Sequence, residues 1–390
     1  MSHESSTRND VNIRRLSSAK EEAQEEIRPT LGGDEDDRPS SQSGDGNGED
    51  LEKNTTVSPP GEPAPPAAVR PPQHSHPFSP HVIAILAPFA MFGLLARLGL
   101  EALTNYNGKS VFVLAWVQGV GCLFMGLAAG LREPISQFYA PLYFAIATGF
   151  CGSLTTFSSW NLYVFLAWEN AFSYHRIWLY DIIDALTQLF ITLAVSLSAL
   201  GLGLHFAELI LPYIPDKLPP PPARFSRISL SLLSIASYIL AIVLYFVLPH
   251  RYRAQATAAL LFSYPGALAR HIASIKLNPR RKSFPLGTFA VNITGTLLIG
   301  MFYTLQRAHY SSHAVVGPLS CVMLQALMDG LCGCLTTVST LAVEIRALKV
   351  KAWAYLGASV GLGQLVLVLV VGVPWWSGAV KEGAMCSFET

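Results

Sequence analysis

The chain has 390 residues, of which 51% are hydrophobic and 14% are charged, with a net charge of +1 and a mean hydropathy of +0.37. About a quarter of the residues of an ordinary soluble domain are charged, so this composition excludes a soluble enzyme of this size and argues against nucleic acid as a partner. The segment 1–80 alone carries 15 Asp and Glu against 8 Lys and Arg. The remaining chain is therefore apolar enough to be a membrane protein.

Residues 1–80 are rich in Ser, Asp, Glu, Gly and Pro and poor in aromatic residues. Such a segment buries too little apolar surface to offset the entropy lost on ordering, so it is predicted to be a disordered, acidic and Pro-rich tail. Its first residues lack a basic stretch followed by an apolar core, which argues against a signal peptide.

Nine apolar stretches are each long enough to cross a bilayer, which takes about 20 residues in a helix. The third and the eighth exceed one crossing, and each has a Gly/Thr-rich cluster in its middle. Non-helical backbone at membrane depth is tolerated only where protein or a cavity covers it, so these clusters predict broken helices that face an internal site. The predicted spans are 82–103, 110–131, 139–168, 180–205, 229–249, 256–275, 286–307, 316–346 and 351–373.

Lys and Arg are unevenly shared between the two sets of loops. With the N-terminus in the cytosol, the inside loops hold eleven of them and the outside segments hold six. Cytosolic loops carry the excess of positive charge in membrane proteins, so a cytosolic N-terminus is predicted.

Three motifs recur in the same order and at a nearly constant offset along the chain, which indicates two copies of one four-helix unit. The fifth span lies between the copies without a counterpart, and one extra crossing inverts the second copy relative to the first. The paired motifs are Gly93-Leu-Leu-Ala-Arg97 with Gly266-Ala-Leu-Ala-Arg270, Gln118-x-x-Gly121 with Asn292-x-x-Gly295, and Gly149-Phe-Cys-Gly-Ser-Leu-Thr-Thr-Phe-Ser with Gly330-Leu-Cys-Gly-Cys-Leu-Thr-Thr-Val-Ser.

The predicted fold is thus an all-α membrane protein. Two inverted four-helix repeats are joined by a linker transmembrane helix, and the third helix of each repeat is broken. The predicted division is a tail at 1–80, a first repeat at 81–206, a Pro-rich loop with the linker helix at 207–255, a second repeat at 256–374 and a C-terminal tail at 375–390.

The third-span motif and the element Val291-Asn292-x-x-Gly295 resemble the signature of the Fluc/CrcB fluoride channels. The resemblance covers most of residues 81–374, and the double-length chain with one linker helix is similar to the eukaryotic fluoride exporter (FEX) branch. Bacterial members are antiparallel dimers with two narrow anion pores and a central sodium ion. The chain resembles such a dimer fused into one polypeptide, which implies that it acts as a monomer in the lipid bilayer.

The resemblance also implies which residues line a fluoride pore. The family's aromatic pair falls on Phe157 and Trp160, whose ring edges are positive. Its amide falls on Asn292 and its carboxylate on Glu344. The first half keeps the aromatic pair, and the second half keeps the amide and the carboxylate. We therefore expect one composite pore, built from both halves, and one vestigial pore. The pore residues are Asn292, Phe157, Trp160, Ser359, Tyr355, Thr288 and Glu344, and the vestigial counterparts are Gln118, Val338 and Leu341.

Some of these residues have a simpler explanation. Tyr355 and Ser359 are four positions apart and share a helix face, but Ser is also common where membrane helices pack together. Gln118 is longer than Asn292 and is expected to be displaced. Arg97 and Arg270 lie near span ends, where they are expected either to snorkel to the interface or to attract anions. The cysteines of the spans, Cys122, Cys151, Cys321, Cys332 and Cys334, are expected to be small packing residues.

The resemblance implies a structural sodium ion and no organic cofactor. Hard cations take oxygen ligands, and a broken helix leaves carbonyl groups without helical partners. The implied ligands are the backbone carbonyl groups of Gly152, Thr155, Gly333 and Thr336.

The predicted function is passive export of fluoride across the plasma membrane, driven by a potential that is negative inside and conferring fluoride resistance. The sequence has no Gly-x4-Gly-Lys-Ser/Thr loop for ATP and no catalytic motif, so it is not predicted to be an enzyme. Two alternatives stay open. One is a coupled secondary transporter that uses Glu344 or Asp329, and the other is a non-conducting membrane scaffold.

Overall fold

The computed structural model describes residues 76–380 apart from short gaps. The predicted tail up to residue 75, and residues 381–390 of the predicted C-terminal tail, lie outside the described residues. The gaps are 105–111, 113, 172–176, 216–217, 250–254, 311–312 and 315.

The described residues are almost entirely helical. The α-helices are α1 (Pro80–Thr104), α2 (Ala115–Gly130), α3 (Arg132–Phe144), α4 (Gly152–Leu154), α5 (Phe157–Trp168), α6 (Trp178–Ile210), α7 (Arg224–Val247), α8 (Gln255–Leu277), α9 (Leu286–Arg307), α10 (Pro318–Ala326), α11 (Gly333–Leu335), α12 (Ser339–Leu348), α13 (Ala352–Leu367) and α14 (Val373–Trp376). Three π-helical turns cover Ala145–Cys151, Leu327–Cys332 and Val368–Gly372, and 3₁₀ turns cover Leu211–Tyr213, Asn278–Arg280 and Lys349–Lys351. An antiparallel pair of two-residue strands, β1 (His309–Tyr310) and β2 (His313–Ala314), follows α9.

Six helical runs in the described part of the chain are long and apolar enough to cross a membrane. One of them, Pro318–Trp376, has 59 residues and turns at Lys349, where φ is +52°. The 16-residue α2 is also apolar but shorter. The other five runs are Pro80–Thr104, Arg132–Trp168, Trp178–Tyr213, Arg224–Val247 and Leu286–Arg307.

Both predicted helix breaks occur at a pair of threonines. The run from α3 passes through a π-helical turn and α4, and it leaves helical geometry at Thr155, whose ψ is 150°, and at Thr156. In the second half the chain becomes extended at Thr336, with φ −92° and ψ 159°. Helix resumes as α5 and as α12. The Gly/Thr clusters of the sequence therefore mark the breaks correctly.

The glycine of each Gly-x-x-x-Arg motif lets one helix touch the backbone of its own half's broken helix. A Cβ atom on Gly93 would lie 2.5 Å from the carbonyl oxygen of Phe150, and one on Gly266 would lie 2.6 Å from that of Leu331. These separations are too short for any side chain. Helices α1 and α8 therefore pack directly against the backbone of the two broken helices.

The linker helix α7 lies on the outside of the bundle. It packs against α1 and α8, and the Tyr238 hydroxyl donates a hydrogen bond to the carbonyl oxygen of Leu261 at 2.6 Å. Its opposite face is apolar and open, with Leu232 and Leu233 each 67% exposed. Such a surface suits contact with lipid rather than with water.

Substitution of Gly93 by Val is expected to destabilise the protein, because the new Cβ collides with the Phe150 carbonyl group. Overpacking of this kind costs about 1–3 kcal/mol. The thermal unfolding midpoint in detergent should fall. Gly99→Ala is the matched control on the same helix, since a Cβ there meets no atom within 4 Å. Equal midpoints for the two variants would contradict the close approach.

Candidate functional site

The two breaks cross each other, and a threonine of the second half caps the helix that resumes in the first. The Oγ1 of Thr336 accepts hydrogen bonds from the backbone N–H groups of Phe157 and Ser158, both at 3.2 Å. Its own proton goes to the carbonyl oxygen of Cys332 at 2.9 Å. The first N–H groups of a helix have no partner within that helix, so Thr336 supplies what α5 lacks.

A threonine of the first half caps the resumed helix of the second half in the same way. The Oγ1 of Thr155 accepts from the backbone N–H groups of Val338 and Ser339 at 3.3 and 3.1 Å, and it donates to the carbonyl oxygen of Cys151 at 3.0 Å. Thr155 and Thr336 occupy the same position in the two copies of the Gly/Thr motif. Each half thus completes the broken helix of the other by the same pair of hydrogen bonds.

Two buried arginines, each 2% exposed, reach across the same crossing. Arg270 donates from Nη1 to the carbonyl oxygens of Gly152 and Thr336 at 2.6 and 3.1 Å, and from Nη2 to that of Thr148 at 2.6 Å. The prediction that this residue snorkels to the membrane interface is therefore wrong. Guanidinium groups bond several acceptors at once, which suits them to the carbonyl groups that a broken helix exposes.

Arg97 makes the corresponding contact in the other direction, since its Nη2 bonds the carbonyl oxygen of Asp329. Its guanidinium also lies against Gly333, where any Cβ atom would collide with it. Arg97 therefore does not snorkel either. The carboxylate of Asp329 accepts from Gln325 at 3.1 and 3.2 Å, so this residue contributes both its backbone and its side chain at the break.

The predicted sodium ligands fit the ion only in part. Carbonyl oxygens are the right donors, but those of Gly152 and Thr336 already accept hydrogen bonds from Arg270. The guanidinium brings a positive charge to half of the implied ligand set. The sodium site stays a prediction.

The amide side chains of Asn292 and Gln118 make equivalent hydrogen bonds in their own halves. Asn292 donates to the carbonyl oxygen of Thr337 at 3.2 Å and accepts from its N–H at 2.9 Å. Gln118 donates to the carbonyl oxygen of Thr156 at 2.6 Å and accepts from its N–H at 3.3 Å. Each amide thus pairs with the extended residue of its own break. The expectation that the longer Gln118 is displaced is wrong.

Glu344 is the centre of a polar cluster in the second half and is 7% exposed. Its Oε1 accepts from the Thr288 hydroxyl at 2.6 Å and from the Asn278 amide at 3.3 Å, and its Oε2 accepts from the Tyr355 hydroxyl at 2.7 Å. The cluster thereby joins α9, α12 and α13. Three of its four members were predicted as pore residues, and the structure brings those three together.

A line of small or polar residues continues along α13 from this cluster. Tyr355, Ser359 and Gly363 are spaced by four, which places them on one face of the helix. The Ser359 hydroxyl donates to the carbonyl oxygen of Tyr355 at 2.8 Å, so it is bonded within its own helix. A Cβ on Gly363 would lie 3.6 Å from Cε1 of Phe157, which places the ring edge of Phe157 against this face.

The predicted aromatic pair faces two different helices. Phe157 and Trp160 form an edge-to-face pair with ring centres 5.8 Å apart. The Trp160 indole N–H donates to the carbonyl oxygen of Gln188 on α6, at 3.4 Å, whereas Phe157 lies against α13. The structure therefore brings Phe157, and not the Trp160 N–H, to the second-half face.

At the positions equivalent by the repeat to the predicted pore residues, the other half has apolar residues or a residue without a carboxylate. Val338 and Leu341 are 1% and 0% exposed and belong to the apolar core. The spacing that pairs Gln118 with Asn292 aligns Thr288 with Leu114, and the spacing of the two threonine pairs aligns Glu344 with Tyr163. The first half thus has no equivalent of the Glu344 cluster among the described residues.

A cavity of about 220 Å³ opens beside the crossing and is lined in part by Thr148, Arg270, His271 and Thr340. Neither Phe157 nor the residues of the Glu344 cluster line this cavity. Cys321 is buried, as expected of a small packing residue, but it is also disulfide-bonded, whereas the other four cysteines of the spans are buried and free. Cys386 lies outside the described residues.

Sequence reasoning missed Asn278 and the targets of the two arginines. Asn278 precedes the start of α9 by eight residues, which is too far for the capping signal that an Asn directly before a helix gives. The contacts of Arg270 with Thr336 and Thr148 join residues 66 and 122 positions apart, and no local pattern reports them.

The fold and the site define a helical membrane protein in which two matching regions meet at their broken helices. A family model described as CrcB-like protein, Camphor Resistance (CrcB), matches residues 84–204 and 257–373. The chain belongs to this family.

Curated relatives extend the comparison. Fluoride export protein 1 of Neurospora crassa is 34% identical over 361 residues, with 77% of this chain and 68% of the relative covered. Fluoride export protein 1 of Candida albicans is 30% identical, and the match covers 76% of this chain and 80% of that protein. The fluoride-specific ion channel FluC of Methylobacterium radiotolerans is 35% identical over 123 residues, which is 30% of this chain and 82% of that protein. No solved structure matches the chain.

Replacement of Thr155 or Thr336 by Val is expected to lower stability by a similar amount in both cases. Each change leaves two buried N–H groups of the opposite half without an acceptor, and such a loss costs about 1–3 kcal/mol. The unfolding midpoint of each variant, measured by intrinsic fluorescence, should therefore be lower than that of wild type. Thr104→Val is a control, because the Thr104 hydroxyl donates to its own helix at 2.9 Å. If only one of the two variants is destabilised, the crossing is not reciprocal.

Proposed function

We propose that this chain is a fluoride channel that exports F⁻ from the cytosol across the plasma membrane. Relatives over most of its length are named fluoride export proteins, and shorter ones are named fluoride-specific ion channels. The observation that carries the proposal in this chain is the continuous polar face formed by the Glu344 cluster and α13, with the ring edge of Phe157 against it. A small anion is stabilised by hydroxyl and amide donors and by positive ring edges.

The proposed passage is a single one that draws on both halves. Phe157 comes from the first half, and Thr288, Asn292, Tyr355 and Ser359 come from the second. Asn292 uses one of its two Nδ2 hydrogens on Thr337, which leaves the other for an anion. The opposite passage is vestigial because Val338 and Leu341 are apolar and Leu114 replaces Thr288. Gln118 keeps a structural role there.

Nine membrane crossings with inverted halves are part of the same proposal. Two observations support this part of the proposal. Helices of the described residues overlap the predicted stretches, and the reciprocal threonine contacts are those expected of two copies related by a two-fold axis. Because both copies are in one chain, the proposed channel works as a monomer in lipid.

The proposed orientation places the N-terminus in the cytosol. The start of α10 follows seven of the proposed crossings and the C-terminus follows nine, so both lie outside the cell. The disulfide at Cys321, near the start of α10, supports this orientation, because disulfides persist in oxidising compartments. A membrane potential that is negative inside then drives fluoride outward, with about 2.3 kcal/mol per charge for each 100 mV.

Fluoride efflux from proteoliposomes, followed with a fluoride electrode, tests the passage. Asn292→Asp should lower the rate by about 100-fold or more, because a fixed negative charge about 4 Å from F⁻ opposes it by about 4 kcal/mol at an effective dielectric constant of about 20. Phe157→Ile should also abolish efflux, since it removes the ring edge.

Val338→Ala is the matched control, because Val338 is the repeated counterpart of Phe157, and it should leave efflux unchanged. Loss of efflux in this variant as complete as in Phe157→Ile would overturn the single passage. Efflux that requires a proton or sodium gradient, rather than a potassium diffusion potential alone, would favour a coupled transporter built around the buried Glu344 carboxyl. If the wild-type chain shows no efflux under any of these conditions, the remaining hypothesis is a non-conducting membrane scaffold.

Orientation is tested in intact cells. A protease tag placed before residue 76 should be cut only after the plasma membrane is permeabilised, while one placed after residue 380 should be cut without permeabilisation. Cleavage of both tags in intact cells, or of neither, would contradict an odd number of crossings.

A further inference from the structure

A single amide, that of Asn278, connects the start of α9 with the Glu344 cluster. Asn278 begins the 3₁₀ turn between α8 and α9. Its Oδ1 accepts from the backbone N–H groups of Gly287 and Thr288 at 2.7 and 3.1 Å. These N–H groups belong to the first turn of α9 and have no partner within the helix, so Asn278 caps α9 across the loop.

The nitrogen of the same amide faces the carboxyl group. Nδ2 donates to Glu344 Oε1 and to Thr288 Oγ1, both at 3.3 Å. Among the described residues, the groups that face the Glu344 carboxyl are Asn278, Thr288 and Tyr355, and Tyr355 is the titratable one. Asn278 differs from the two hydroxyl residues because it lies in the loop and not on the proposed passage. It therefore bonds the carboxyl from a fixed point.

The first half lacks this arrangement. The spacing that pairs Gln118 with Asn292 aligns Asn278 with Thr104, at the end of α1. The Thr104 hydroxyl donates to carbonyl oxygens of its own helix, those of Leu100 and Glu101. Tyr163 stands at the position of Glu344. The capping amide thus occurs in the half that has the carboxyl to hold.

We propose that Asn278 is a positioning residue for permeation, which anchors the Glu344 carboxyl so that it stays against α9 and α13 while Thr288 and Tyr355 turn their hydroxyl groups to a passing anion. The inference rests on the proposed function. A carboxylate released from this anchor would be free to enter the passage, where its negative charge repels F⁻. Asn278 itself does not touch the ion.

The variant Asn278→Asp separates the anchor from the cap. At pH 5.5, where the two carboxyl groups share a proton, the new side chain still accepts from the two N–H groups of α9, so the thermal unfolding midpoint at that pH should stay within about 2 °C of wild type. The donor to Glu344 is lost and a like charge takes its place, so fluoride efflux at pH 7.5 should fall at least about 10-fold. Efflux should recover as the pH is lowered towards 5.5, because one proton shared by the two carboxyl groups restores a hydrogen bond between them.

A double variant tests whether Asn278 acts through Glu344. In a Glu344→Gln background the new carboxylate meets an amide donor and no like charge, so adding Asn278→Asp should change efflux by less than about 2-fold. Thr104→Asp is the matched control in the other half, and it should leave efflux and its pH profile as in wild type.

The outcomes are distinct. A loss that is the same in both backgrounds and independent of pH overturns the anchor, as does unchanged efflux in Asn278→Asp. A fall in the unfolding midpoint at pH 5.5 that accompanies a loss of efflux at that pH assigns Asn278 to capping alone and overturns the anchor. If the wild-type chain moves no fluoride, the proposed function fails as well, whereas efflux in wild type without coupling to Glu344 overturns only the inference about Asn278.

Discussion

Each broken helix depends on a threonine hydroxyl from the opposite half. A helix that starts inside the bundle has N–H groups without helical partners, and no water is available in a hydrocarbon layer to satisfy them. Thr336 and Thr155 meet this need reciprocally, each giving its proton to its own half and its lone pairs to the other. Neither break is complete without its partner, so the two halves must fold against each other, and Phe157, the first residue of α5, takes its position directly from that crossing.

The arginines extend the same dependence to charge. A buried guanidinium is costly in an apolar surrounding unless acceptors are arranged around it. The breaks provide them, because the π-helical turns and the extended threonines release carbonyl groups. Arg270 bonds those of Gly152 and Thr148 in the other half and that of Thr336 in its own, and Arg97 bonds that of Asp329 in the other half. Two fixed positive charges thereby lie near the centre of the protein. Their field favours an anion over a cation in any passage nearby, whether or not a sodium ion is also present.

The sequence was sufficient to predict features that depend on local pattern. Apolar length gave the positions of the helices, the Gly/Thr clusters gave the breaks, and the repeat paired Thr155 with Thr336. Contacts between the halves could not be read in the same way, because they join residues brought together only by packing. The arginines therefore looked like interfacial residues, and Gln118 looked displaced since its extra methylene was judged without the geometry of Thr156. The disulfide of Cys321 was also missed, because a cysteine in an apolar run gives no signal of its partner.

The two halves share the residues that hold the crossing of the broken helices and differ at the residues assigned to the proposed passages. Residues that hold the crossing recur in both halves: the glycine for close approach, the arginine, the amide and the threonine pair. Residues assigned only to the proposed passages differ, as where Val338 replaces Phe157 and Tyr163 replaces Glu344. A change in a crossing residue disturbs both halves, because each caps the other, while a change in a lining residue leaves the crossing intact. One of the two proposed passages could therefore lose its polar lining at little cost in stability, provided that the other retained a complete set of lining residues.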